Sequence, residues 1–107
     1  MNLTTFSGYT SVIPMEESLS SIILKIREDA GLASLTAAYR STGNRALKEA
    51  SPCFAPACHF AGGKQRRHIV SLTGLSMADF DHLPAERMEE LRQRAADDAH
   101  TVLAYIT

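Results

Sequence analysis

Apolar positions recur along this chain with two different periods, and the switches between them mark out its elements. Leu3 to Phe6, with Thr4 and Thr5 between, has the β-branched content of a short strand; Gly8 interrupts it and Pro14 closes the connection that follows. From Glu16 the period lengthens. Leu19, Ile22, Ile23, Ile26 and Ala30 fall at three- and four-residue spacings, which predicts a helix over 16–30 with one apolar stripe. Ser18 is suited to cap its start and Gly31 to mark its stop. A shorter helix is expected over 32–41, with Leu35, Ala38 and Tyr39 on one side, ended by Gly43. Asn44 then caps a turn or two over 45–50, which Ser51-Pro52 stops.

The second half reads differently. Phe54 to Phe60 alternates weakly, and Pro56 inside it demotes the run to an edge strand. A polar turn follows, Gly62-Gly63-Lys64-Gln65-Arg66-Arg67. The run 68–80 (HIVSLTGLSMADF) is expected to be the longest strand, with Gly74 as a kink or bulge. Pro84 opens a helix over 84–98 that faces Met88, Leu91, Ala95 and Ala99 inward, and 101–107 (TVLAYIT) has the composition of a closing strand. The last three elements form a β-α-β unit, which favours a parallel pair with a right-handed crossover. The fold class is therefore α+β, a small mixed sheet with helices 16–30 and 84–98 on one face. A strand at the end of the sequence suggests that residues 1–107 are a single domain cut from the N-terminal part of a larger one.

Composition narrows the chemistry. At 107 residues, 45% of them hydrophobic, there is room for one modest core, and with no tryptophan it must be largely aliphatic. Eleven basic against twelve acidic residues give a net charge of −1, which argues against a general polyanion coat. Contact with nucleic acid must then be local or assisted by a cation. No run approaches the roughly 18 apolar residues that span a bilayer, and the first residues lack the charged-then-apolar pattern of a signal peptide. Two cysteines without an export signal point to reduced thiols in the cytoplasm.

The residues with most chemical content are Asp79-Phe80-Asp81-His82. On a strand, positions i and i+2 share a face, so Asp79 and Asp81 would project together at a strand end while Phe80 turns away. Two converging carboxylates offer a hard-oxygen site for Mg²⁺ or Mn²⁺, of the kind that positions phosphates in nucleotidyl transfer. The plainer reading is a solvated loop that precedes a helix. Lys64, Arg66, Arg67 and His68 form a basic turn suited to phosphates, though an exposed hairpin kept soluble by charge is the plainer reading. Arg40 and Lys48 could face the same groove. Cys53, Cys58, His59 and His68 lack the spacing of a zinc finger and read as ordinary packing residues. His82 beside Asp81 could serve as ligand or base, and more simply as a hydrogen-bonded residue near a helix start. There is no Walker A motif and no nucleophile elbow.

The run Leu75 to Leu83 (LSMADFDHL), with Ser71-Leu72-Thr73-Gly74 before it, resembles the signature of the VirE N-terminal domain family. Ile26-Arg27, Arg40, Lys48, Pro52 and Phe60-Ala61-Gly62-Gly63 fall in the order that family shows. The resemblance implies a ferredoxin-like or RRM-like fold as in archaeo-eukaryotic primases, with Asp79 and Asp81 as catalytic metal ligands and Lys64, Arg66, Arg67, Arg40 and Lys48 near nucleotide or nucleic-acid phosphate. It implies DNA and nucleotides as partners, and a helicase-like module in the same protein. The functional expectation is a primase-polymerase-like domain of a mobile-element replication protein. The alternative is a non-catalytic module that binds DNA or a partner and positions an attached helicase. An unpaired strand edge could also bring two copies together.

Overall fold

The computed structural model describes residues 1–105. It contains two compact units, Met1–Met77 and a second beginning at Ala78. The class is α+β.

In the first unit, β1 (Asn2–Phe6) is the central strand of a three-stranded sheet, between β2 (Met15–Ser18) and β3 (Cys53–Ala55). Both pairings are antiparallel, with Thr4 opposite Glu16 on one side and Ala55 on the other. Being central, β1 is paired on both edges, and because Leu3, Thr4, Thr5 and Phe6 are all buried although successive side chains point to opposite faces, it is covered on both faces as well. Together with Ile22 from α1 they are the buried core among the described residues.

The helix expected over 16–30 begins later. Met15–Ser18 pairs with β1, and α1 runs Leu19–Glu28. Ser18 is the N-cap, its hydroxyl accepting the Ser21 N–H at 3.2 Å. The end is set not by Gly31 but by Asp29, whose backbone N–H closes α1 on the Lys25 carbonyl while its side chain accepts the Leu32 N–H at 3.0 Å and opens α2 (Ala30–Thr42). Gly43 ends α2 at φ 65, a left-handed conformation that glycine adopts without strain. Asn44 caps α3 (Arg45–Glu49) as its type and position suggest.

Residues 54–60 divide at Pro56-Ala57 into β3 and β4 (Cys58–Phe60). β4 pairs antiparallel with β5 (Ile69–Leu72), Cys58 opposite Leu72 and His59 opposite Ser71, in a separate two-stranded sheet. The register shifts between His59 and Phe60, which leaves Val70 as an extra, bulged residue. Two contacts tie this sheet to the core. The Thr4 hydroxyl accepts the Phe60 N–H at 3.0 Å, and the Phe6 and Phe60 rings meet edge to face at 5.9 Å.

Three expectations are corrected. The strands form two small antiparallel sheets rather than one mixed sheet. The long strand over 68–80 is only four residues. Thr73 stops it, because its hydroxyl is occupied locally, donating to the Pro56 carbonyl and accepting the Leu75 N–H, and Gly74 follows at φ 86. The closing strand is absent over 101–105, and 106–107 lie outside the described residues, so no parallel β-α-β pair forms among the described residues. Here Asp98 wins over β propensity: its carboxylate accepts the His100 N–H at 2.9 Å and the Thr101 hydroxyl at 3.1 Å, coiling the chain into a turn. Those bonds hold the Asp98 carboxyl below its ordinary value.

The second unit carries α4 (Ala85–Asp97), close to the expected 84–98. Met88, Leu91 and Ala95 are half-buried on one side, and Glu89–Arg92 and Arg87–Glu90 pairs line the exposed surface. Arg92, Ala95 and Ala96 share a shallow groove with Thr101 to Ala104.

Candidate functional site

The two carboxylates singled out by the sequence stand in the second unit, in the irregular segment before α4. Asp79 and Asp81 are both exposed, and neither accepts a hydrogen bond among the described residues. The alternation that would align them fails, because the strand ends at Leu72. His82 has a φ of 56, which turns the backbone just before Leu83-Pro84. Asp79 does sit close enough to Tyr105 to act on it: partial burial first, and then the Asp79 charge, push the phenol above its ordinary value of 10.0. Among the described residues no group of three or more His, Cys, Asp or Glu side chains converges on a common point. Two loop carboxylates without a third ligand are a poor fit to the Mg²⁺ or Mn²⁺ site expected of them.

The basic turn is better organised. Lys64 is half-buried and points inward. Its ammonium donates to the Tyr9 carbonyl at 2.7 Å and stands 4.7 Å from the centre of the Phe6 ring and 5.3 Å from that of Tyr9. It also lies 3.8 Å from the Cys53 sulfur. A cation held between two ring faces and a carbonyl anchors the turn to the core. Gly63, itself buried, lies against the His68 imidazole so closely that a Cβ there would stand 2.5 Å from a ring carbon. The His68 ring in turn accepts the Gln65 N–H through Nδ1 at 3.1 Å. A single 3₁₀ turn, Arg66–His68, follows and leads directly into β5.

Arg66 and Arg67 on that turn are exposed, and neither guanidinium has a hydrogen bond or ion pair among the described residues. Arg40, in the last turn of α2, is exposed as well. Lys48, in α3, stands 6.0 Å from the Tyr39 ring.

Sequence reasoning missed what adjoins the arginines. All four residues of β5 are exposed, with Val70 at 64% and Leu72 at 79%. Thr73 donates its N–H to Ala57, so that pair and the His59–Ser71 pair two residues on are the hydrogen-bonded ones, and Cys58–Leu72 is not. The Leu72 N–H and C=O and the Val70 C=O therefore point to the other edge, which no strand among the described residues occupies. The signal was present in Ile69-Val70-Ser71-Leu72, a strand whose alternation offers no charged residue to guard an edge.

The family model of the BT4734-like, N-terminal domain matches residues 46–107, more than half of the chain, including the basic turn, β4, β5 and α4. The chain belongs to that family. This corrects the resemblance to the VirE N-terminal domain drawn from Leu75 to Leu83, and with it the primase, replication and mobile-element reading that rested on the likeness. No curated protein and no solved structure matches the chain.

Proposed function

We propose that the chain is a non-catalytic binding module that docks an extended segment of a partner along the free edge of β5, beside the basic turn. One observation carries the reading. A strand edge with two apolar side chains more than three-fifths exposed lies next to two arginines, and neither the edge nor the arginines are paired among the described residues. Edges left this open in a folded protein are templates for another strand. The turn supports the role by its rigidity, since Lys64, Gly63 and His68 fix it from behind. No helix is long and apolar enough to cross a membrane among the described residues, and two free cysteines suit a reducing cytoplasm, where we place the module.

The test is selection of random heptapeptides displayed on phage against the intact chain, followed by amide mapping of the winners by NMR. Shifts concentrated on residues 69–73 support the reading. Selected peptides that leave those amides untouched overturn it.

A second reading rests on the arginines alone, which suit the phosphates of nucleic acid. Electrophoretic shift of single- and double-stranded oligonucleotides, abolished by Arg66→Ala with Arg67→Ala but not by Leu72→Lys, would favour it.

A further inference from the structure

The charge and chain direction around the β5 edge narrow what can lie on it. Resting on the docking reading, we infer that the occupant is a strand running antiparallel to β5, with alternate apolar residues followed, toward its own C-terminus, by a short acidic run.

Direction follows from polarity. β5 leaves the basic turn at Ile69 and runs to Leu72. An antiparallel newcomer meets Leu72 first, then Val70, and then arrives beside Arg67 and Arg66. Every strand pair among the described residues is antiparallel, and the perpendicular hydrogen bonds of such pairs are slightly stronger than the slanted bonds of parallel ones. The outward Leu72 N–H and C=O and the Val70 C=O supply the main-chain partners. Val70 and Leu72 supply apolar contacts for the residues opposite them. Strand addition obtains its affinity from the main chain and its specificity from side chains, so charge must select the partner.

The sign of that charge is set by the turn. Arg66 and Arg67 are exposed and have no acidic partner among the described residues, and Lys64, though turned inward, adds to the local positive potential. Forked guanidiniums are suited to carboxylates. A second copy of this chain is a poorer occupant. Its own Ile69-Val70-Ser71-Leu72 is apolar enough, but Arg66 and Arg67 would find no acids in the opposing strand, since the residues after Leu72 are Thr73, Gly74, Leu75 and Ser76. A four-residue strand pair also buries far less than the ~800 Å² per partner that stable dimers need.

The probe is an acetylated peptide Thr-Val-Thr-Val-Glu-Glu-Glu, titrated into the ¹⁵N-labelled intact chain and read by amide shifts and fluorescence anisotropy. Shifts should centre on residues 66–73. Replacing the glutamates by lysines, or placing them at the N-terminus of the same peptide, should weaken binding about tenfold or more, as should Arg66→Glu with Arg67→Glu in the protein. Methylating the peptide nitrogen that faces the Leu72 carbonyl should abolish binding, and this control leaves the protein unaltered. Equal binding of the lysine or reversed peptide, with shifts still on residues 69–73, overturns the acidic antiparallel strand and leaves the docking reading standing. Concentration-dependent dimerisation through the same residues, seen by sedimentation, also overturns it. No binding by any of the three peptides overturns it too, and the displayed library then decides the docking reading on its own.

Discussion

The Thr4 hydroxyl is a junction between the two sheets, and Thr4→Val tests it with little change of shape. Thr4 is 1% exposed, and its Oγ1 accepts the Phe60 N–H at 3.0 Å. Valine fills the same volume, so no cavity opens and the hydrophobic contribution is nearly unchanged. What is lost is the acceptor. The Phe60 N–H is then a donor in a half-buried strand without a partner, and leaving such a group unsatisfied costs about 1–3 kcal/mol. Removal of the hydroxyl's own desolvation offsets part of this, which leaves a net loss of about 1–2 kcal/mol. With a urea dependence near 1 kcal/mol per molar for a small protein, the midpoint should fall by roughly 1–2 M at unchanged slope. Hydrogen exchange gives a local readout: the Phe60 amide should lose protection beyond the global change, while β1 amides follow the global change alone. A midpoint equal to the wild type, or a Phe60 amide as protected as before, would refute the idea that this bond joins β4 to the core.

Further outcomes follow from the same geometry. Gly63→Ala should destabilise by about 1–2 kcal/mol, because the new Cβ must displace the His68 ring from the Gln65 N–H; in a His68→Ala background the penalty should largely vanish, which denaturation of the double mutant checks. Lys64→Met should destabilise by about 1–2 kcal/mol, through the lost charged hydrogen bond to Tyr9 and the lost ring contacts. The Glu17 carboxyl is held below its ordinary value of 4.5 by the Lys25 ammonium and the Ser21 hydroxyl. A depressed carboxyl stabilises the fold fully above 4.5 and loses that contribution as pH falls through the lowered value, so Glu17→Gln should flatten the stability profile on the acid side. Asp79→Asn should lower the Tyr105 pKa without returning it to 10.0, since burial is the larger cause; absorbance titration of the phenolate reads this, and an unchanged value would separate the two groups.

Local elements were legible where a residue's own chemistry decides the backbone. Ser18, Gly43 and Asn44 cap or close helices as their types suggest, whereas Pro56, expected to sit inside one edge strand over 54–60, divides it into two. Two of the failures share a physical origin, side-chain hydrogen bonds that compete with the regular ladder. Thr73 truncates the strand expected to reach Phe80, and Asp98 coils the run expected to be a strand. Residues 16–18 were read as helix because the apolar period begins nearby, whereas pairing with β1 places them in β2. The candidate site suffered most from Thr73, since the alignment of Asp79 and Asp81 needed a strand that ends seven residues earlier. The basic turn was visible as charge. That Lys64 faces inward while Arg66 and Arg67 face outward depends on Phe6 and Tyr9, more than fifty positions away, and no local pattern carries that.

Asp29 serves two helices at once, finishing α1 with its main chain and starting α2 with its carboxylate. Such an elbow has no slack. One inserted residue would rotate everything after it by about 100° around the α2 axis and part the carboxylate from the amide it secures. Length variation among related chains should therefore fall almost anywhere on the surface before it falls at this joint.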